Sequence, residues 1–486
     1  MRALAAKTII VASIALHSIT QALEKPNIVL VLCDDLGYGD IQCLNPKRGK
    51  IPTPGVDRLA KEGMIFTDAH SGSSVCTPSR YGLLTGRYSW RTKLQKGVVQ
   101  GFADNLITAD RPTVASFLKQ QGYHTSIIGK WHLNFNYLHP ESGEKLSKKG
   151  AHLAPIGSTI PDGPIARGFD YFHGFHHARD MKGVIENDTV IAHEDEINML
   201  PRITKKAVEY IHARAEDKKT FFLYVPYGSP HTPILPTKDW QGKSGINPYA
   251  DFVMETDDGF QQILTALDEN DLTGNTLVLF SSDNGCSPRA DFEALAKHEH
   301  YPSAHMRGAK ADLWDGGHRV PFVVRWPEVI SPGSTSDQLI CLNDLFATTA
   351  AILKQPLPEG TAEDSVSFLP AFTGKKIETT RKGIIHHSIS GHFSYRQNNW
   401  KLLLAYGSGG WSQPKETTAK KQKAPRAQLY NLDSDPSETT NLYEEKPEIV
   451  AQLLKQLKED VTSGRSTQGL PSQNDIEKIK LWKSGK

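Results

Sequence analysis

Two apolar runs end in the same way, and together they restrict what this chain can fold into. Ile28-Val29-Leu30-Val31-Leu32-Cys33 runs into Asp34-Asp35. Thr276-Leu277-Val278-Leu279-Phe280-Ser281-Ser282 runs into Asp283-Asn284. A continuous apolar run of this length, without alternation, reads as a strand buried on both faces of a sheet. Carboxylates at the end of such a strand are costly unless paired or metal-bound, and open α/β sheets bind ligands outside their strand C-termini. A metal site is therefore expected over a solvated loop, and Asp and Asn oxygens suit a hard cation.

Other segments fit the same layered pattern. The spacing predicts helices over 53–63, 113–122, 203–215 and 251–267, and strands over Met64–His70, Tyr123–Ile128, Phe221–Val225 and Phe322–Trp326. His70 carries no signal of its own and reads as structural. After about Gly374 the composition shifts. Ile384–Ser388 and Trp400–Tyr406 read as antiparallel strands, 428–436 as a strand and turn, 448–457 as a helix, and Lys415–Lys423 as a charged loop. The 486 residues suffice for one large core and a smaller domain.

Arg2 and Lys7 precede the apolar run Thr8–Leu16, and Thr20-Gln21-Ala22 offers a cleavage site, so residues 1–22 read as a signal peptide. The run is too short to span a bilayer, and an exported protein without stable membrane insertion is expected. The net charge of +2 is accounted for by the leader's two cations, which gives no footprint for nucleic acid. Five cysteines are few for a disulfide scaffold and show no zinc spacing; some pairing remains open in an exported chain.

Cys76-Thr77-Pro78-Ser79-Arg80 reads as a helix start, with Pro78 in the first turn. Unpaired N–H groups and Arg80 there lower a thiol's pKa or bind an oxyanion; the bland alternative is a scattered cysteine beside an ordinary helix. Lys130 and His132, at i and i+2, face one cleft if extended; otherwise they are a surface lysine and a satisfied histidine. His231 sits in a proline-framed turn at a strand end. The segment Arg167–Arg179 is either an insertion with satisfied histidines or a substrate wall, in which His176, His177 and Arg179 suit acidic sugars.

The run Ser74–Gly86, with its C-x-P-S-R core, resembles the signature of the formylglycine-dependent sulfatases. Gly122–His132 is similar to the second sulfatase signature, and Arg307-Gly308-Ala309-Lys310 with Asp315-Gly316-Gly317-His318-Arg319-Val320-Pro321 resembles a third block, in which Asp315 stands where glutamate is commoner. The resemblance implies an α/β alkaline-phosphatase-like fold: a large mixed central sheet flanked by helices over 23–374, and a smaller C-terminal α+β domain over 375–486. It implies that a maturation enzyme oxidises Cys76 to formylglycine, whose hydrate is the nucleophile. Asp34, Asp35, Asp283, Asn284 and residue 76 would hold calcium, and Arg80 would support the ionised hydrate. Lys130 and Lys310 would bind sulfate, His132 would serve as the base releasing it, and His231 would assist the leaving group. The expected reaction is hydrolysis of a sulfate ester on a sulfated carbohydrate. A marine polysaccharide such as carrageenan or ulvan comes slightly ahead of a glycosaminoglycan or a small aryl or choline sulfate. A phosphonate or phosphodiester hydrolase is the nearest chemical alternative, and a non-catalytic sulfoglycan-binding protein the alternative of a different class.

Overall fold

The computed structural model describes residues 25–147, 153–378 and 380–483; the expected signal peptide lies outside them. Sixteen strands occur among these residues: β1 (Asn27–Asp34), β2 (Met64–Phe66), β3 (Ala69–His70), β4 (His124–Lys130), β5 (Tyr171–Phe175), β6 (Gly183–Glu186), β7 (Thr189–His193), β8 (Phe221–Pro230), β9 (Thr276–Ser282), β10 (Phe322–Arg325), β11 (Ser334–Ser336), β12 (Ile340–Cys341), β13 (Ile384–His387), β14 (Phe393–Gln397), β15 (Trp400–Leu403) and β16 (Gln428–Asn431).

Ten of them form one mixed sheet in the order β11-β2-β10-β9-β1-β8-β4-β5-β6-β7. The five middle strands, β9 to β5, run parallel, while β10 and β6 flank them antiparallel. β1 is fully buried and lies at the centre, which is why its run does not alternate. Its odd and even positions still part company. Ile28, Leu30 and Leu32 join one core with Tyr81, Leu84, Phe117 and Phe346; Val29, Val31 and Cys33 join another with Leu59, Ile203, Ala207 and Phe260. The first core packs under the helices Cys76–Thr85, Val114–Gln120 and Leu345–Ile352. The second packs under Pro54–Glu62, Met199–Asp217 and Pro248–Glu269. This is the alkaline-phosphatase/sulfatase-like layering, helix on both faces of a large mixed sheet. A smaller antiparallel sheet, β13-β14-β15-β16, follows and packs its own core against the helix Pro447–Thr462.

Several expectations are corrected. Met64–His70 is two strands in two sheets, because β2 pairs with β10 while β3 pairs with β12. The Gly/His-rich segment after His132 supplies β5, β6 and β7, an edge of the main sheet too short and polar for a strand pattern to stand out. Ile384–His387 and Trp400–Leu403 are strands of an antiparallel sheet as expected, each paired with a further strand, β14, that lies between them. Lys415–Lys423 contains the helix Glu416–Lys421. Among the described residues no helix is long and apolar enough to cross a membrane. All five cysteines are free thiols.

Candidate active site

The parallel strands deliver their ends to one place. Asp34 closes β1, Lys130 closes β4, His231 follows β8, and Asp283-Asn284 follows β9. The helix Cys76–Thr85 starts against them, with Val75 extended as its N-cap and Gly86 left-handed at its C-cap (φ +65°). Atoms of Asp34, Asp35, Cys76 and His231 lie within 4.8 Å of one another.

The Cys76 Sγ is 3.4 Å from Asp34 Oδ1 and 3.6 Å from Lys310 Nζ. The helix start is as expected, but the thiol is not activated. Burial, and then the Asp34 carboxylate, push its pKa up despite Lys310 and Lys130. As a thiol, residue 76 stays protonated and is a poor nucleophile.

Three carboxylates face three cations. Lys130 Nζ pairs with Asp34 Oδ2. Lys310 Nζ lies 2.7 Å from Asp35 Oδ2. Arg80 donates from Nε and Nη2 to Asp283 Oδ2 at 3.0 and 2.7 Å. Burial works to raise the Asp34 pKa, but Lys130, His231, Arg80 and Lys310 outweigh it and hold the carboxyl well below the usual range. Burial and then Asp34 raise Asp283 to about 7. Burial also opposes a charge on Lys310, yet Asp35, with Asp34 and Asp283 behind it, outweighs burial and raises its pKa.

The Asn284 Nδ2 donates to Asp35 Oδ1 at 2.8 Å, while its Oδ1 is buried with no partner. An orphaned amide oxygen beside three carboxylates fits a hard, oxygen-preferring cation such as calcium. Asp34, Asp35, Asp283 and Asn284 are the residues that would hold it. With the carboxylates already matched by cations, a divalent ion leaves the site net positive and ready for an anion.

His231 Nε2 is 3.7 Å from Asp35 Oδ2, and burial lowers its pKa although Asp34 and Asp35 oppose this. His132 is nearly buried. Its Nε2 donates to Val99 O at 3.2 Å, which leaves Nδ1 as a buried lone pair without a partner. Burial, then Lys130 and His177, hold this imidazole well below its usual pKa, so it is neutral. Asp35 (φ +67°) and His132 (φ +56°) are both left-handed. For residues with a Cβ this costs about 1–3 kcal/mol each and is found where surroundings over-determine the backbone. Gly129 (φ +140°) is forced, because a Cβ there would meet Pro226 O at 2.1 Å. That close approach of β4 to β8 positions the following Lys130.

The residues expected to form a substrate wall are divided. His176 is fully buried, its ring edge-on to Phe135 at 4.4 Å, and His177 packs against His132 at 5.4 Å. They back the site rather than face solvent, and of the three only Arg179 is exposed. The local pattern of alternating aromatics and histidines carries no sign of which face is closed.

Two acids that the sequence did not single out hold the loops of the site. Asp40 accepts from Gly37 N (2.7 Å) and Tyr249 Oη (2.5 Å), and pairs with His300 Nε2 (2.8 Å), clamping the turn after Asp34-Asp35. Asp312 Oδ2 accepts from Ala309 N at 3.0 Å, and its Oδ1 from Trp411 N at 2.8 Å, tying the Lys310 segment to the C-terminal sheet region. An acid beside glycines is the signal for the first; nothing local marks the second.

Comparison with known proteins agrees with this geometry. The family model described as Sulfatase matches residues 26–354, and one described as N-sulphoglucosamine sulphohydrolase, C-terminal, matches 309–466. The chain is 32% identical to an N-acetylgalactosamine-6-O-sulfatase of Bacteroides thetaiotaomicron, over 89% of this chain and 92% of that one. It is 30% identical to arylsulfatase A of Bos taurus, over 92% and 89%. A solved structure concerned with metabolism of multiple glycosaminoglycans by Bacteroides thetaiotaomicron superposes with a TM-score of 0.77 at 30% identity, over 90% of this chain and 99% of that one. A structure in complex with a neocarrahexaose has a TM-score of 0.73 at 23% identity, over 92% and 95%, a likeness of fold. Acid-tipped parallel strands converging on a cysteine-led helix, matched along most of the chain, place this protein in the sulfatase family, the sulfuric ester hydrolases.

Proposed function

We propose that the chain removes sulfate from a sulfated amino sugar within a glycosaminoglycan-type oligosaccharide, using formylglycine made from Cys76, and calcium. The observation that carries the chemistry is the position of Cys76 Sγ, between Asp34 at 3.4 Å and Lys310 at 3.6 Å at a buried helix start. Support for the sugar comes from the N-acetylgalactosamine-6-O-sulfatase that matches along nearly the whole length of both chains. A marine galactan comes second, because the carrageenan-oligosaccharide complex shares the fold at lower identity.

Oxidation of Cys76 supplies an aldehyde whose hydrate carries two hydroxyls on one carbon, one to attack sulfur and one to give up its proton when sulfate departs. Calcium held by Asp34, Asp35, Asp283 and Asn284 would neutralise the sulfate and lower the pKa of the attacking hydroxyl. Arg80, held on Asp283 by Nε and Nη2, adds a fixed positive charge beside residue 76. Lys130 and Lys310 hold sulfate oxygens. Lys310 Nζ donates toward the leaving alcohol oxygen; His231, whose Nδ1 donates to Thr232 O, adds a second donor at Nε2 when it is protonated. His132 Nδ1, neutral and unpartnered, takes the second hydroxyl proton. Export by the 1–22 leader and maturation by a formylglycine-generating enzyme belong to the same proposal.

Peptide mass and a substrate panel test it. The Cys76 peptide from protein made with the maturation enzyme is expected to be about 18 Da lighter than the cysteine form. Release of 6-O-sulfate from N-acetylgalactosamine oligosaccharides, read by NMR, should exceed release from carrageenan oligosaccharides. An unmodified Cys76 peptide with no turnover would favour the sulfoglycan-binding alternative, and faster carrageenan turnover would overturn the sugar assignment.

A further inference from the structure

A second convergence of side chains lies where the β3–β12 pair and the helix Asp315–His318 meet the C-terminal sheet. His70 ends β3, His318 ends the short helix Asp315–His318, and His386 lies on β13 of the C-terminal sheet. All three are essentially inaccessible to solvent. One ring nitrogen from each lies within 4.8 Å of the others.

The outer nitrogen of each ring is committed to an acceptor. His318 Nε2 donates to Leu313 O at 3.0 Å, and His386 Nδ1 donates to Ser71 O at 3.0 Å. His70 Nε2 lies 2.8 Å from Asp68 Oδ1. Arg396 Nη1 is also 3.0 Å from that nitrogen, but it has Asp68 Oδ1 at 2.7 Å as its acceptor. A carboxylate oxygen at 2.8 Å requires a proton on His70 Nε2. These partners assign the tautomers. They leave three lone pairs turned inward: His70 Nδ1, His318 Nδ1 and His386 Nε2.

Two of the lone pairs, on His70 and His318, face each other at 3.0 Å. The third, His386 Nε2, is buried with no partner. Neutral nitrogens so close repel unless a proton or a cation sits between them. A proton shared by His70 and His318 would still leave His386 Nε2 unsatisfied. A cation takes all three. Burial keeps each imidazole neutral, the form that ligates. The outer hydrogen bonds to one carboxylate and two carbonyls are those that orient metal-binding histidines.

We propose that His70, His318 and His386 form a structural site for a first-row transition cation that imidazole suits, with zinc as the probe. His70 lies six positions before Cys76, His318 eight after Lys310, and His386 in the other sheet, so one ion would pin both catalytic segments to the C-terminal sheet. The surrounding charges are balanced: Asp68 meets Arg396 and Arg319, and Asp315 shares Lys401 with Glu438. His318 and His386 stack at 3.7 Å with an interplanar angle of 11°, and must tilt apart to direct both lone pairs at one ion. The site is sealed, so it loads during folding and resists brief chelation.

The test is the metal content of full-length protein expressed with added zinc and purified by gel filtration, together with anomalous diffraction from its crystals at the zinc edge. The expected result is about one zinc per chain with its anomalous peak between the three rings, falling below about one tenth in His386→Phe and persisting in the Asp34→Asn, Asp35→Asn double variant. Zinc-free native protein, or an anomalous peak at the Asp34–Asp35 site instead, would overturn the proposal. If His386→Phe fails to fold, the position of the peak in native crystals decides alone.

Discussion

Cys76 and His176 show how burial changes what a residue can do. The Cys76 sulfur touches a carboxylate and an ammonium, and burial keeps it a protonated thiol. It is also small enough that Cys76→Ala should leave the fold intact. That variant is expected to melt within a few degrees of native and to lose sulfate release by at least about 10³-fold, read in a coupled assay of free sulfate. His176 is fully enclosed with both ring nitrogens unpartnered, and burial, then His177 and Lys130, hold its pKa well below the usual value. The folded chain keeps it neutral, while the unfolded chain binds a proton below about pH 6.5. Its share of stability is therefore present above that pH and lost as pH falls. His176→Phe removes the difference. Urea unfolding at about pH 8 and about pH 5.5 should show the variant gaining roughly 1.4 kcal/mol relative to native on acidification. Equal pH dependence in the two proteins would contradict the enclosed, neutral assignment.

At the scale of elements, the Lys-rich stretch 415–423 shows why composition is an incomplete guide. Glu416 opens the helix Glu416–Lys421 and turns back to accept from Tyr406 N (3.0 Å), Gly407 N (2.8 Å) and Gly409 N (3.2 Å). One carboxylate thus satisfies the amides of the preceding loop, and that loop docks on Asp312 near Lys310. Glu416→Ala leaves those amides without this acceptor and is expected to cost about 1–3 kcal/mol. Limited trypsin digestion should cut the variant within 415–423 while native protein resists. Cleavage at equal rates would show that the helix does not depend on this contact.

For the whole molecule, a buried ion pair of the first part anchors the C-terminal part. Arg91 makes a bidentate pair with Asp364, 2.8 Å at both contacts, and also donates to Asp460 O on the helix Pro447–Thr462. Both charges are fully buried. Burial alone would raise the Asp364 pKa; Arg91 outweighs it and brings it below the usual value. Removing one partner strands the other, so Arg91→Ala is expected to cost about 3–5 kcal/mol. Because Arg91 donates to Asp460 O and Asp364 accepts from Ser466 N, the pair is tied to the C-terminal part, and calorimetry should show one transition shifted downward, not the separate melting of a C-terminal unit. Two resolved transitions in the native protein would refute that coupling.

What could be read from the chain alone was local and repeated. The run Ile28–Cys33 ending in Asp34-Asp35, and Thr276–Ser282 ending in Asp283-Asn284, announced buried parallel strands with an anion- or cation-handling tip, because continuous apolarity and a terminal acid are properties of adjacent residues. The stretch around Cys76 marked a helix start for the same reason. Its proximity to Asp34 and Lys310 is a matter of strand order, and so is the pKa that follows from it. The edge strands β5, β6 and β7 stayed hidden in a polar, glycine-rich segment, since their stability comes from pairing with β4 rather than from their own pattern. The enclosure of His176 and the meeting of His70 with His318 and His386 are further still from the sequence. His70 and His318 are 248 positions apart, and only the long-range backbone bridge between His70 and Arg319 brings their lone pairs together. Residue type and short-range spacing determined the kind of chemistry; long-range contact decided which groups are charged, which are sealed from water, and which face one another.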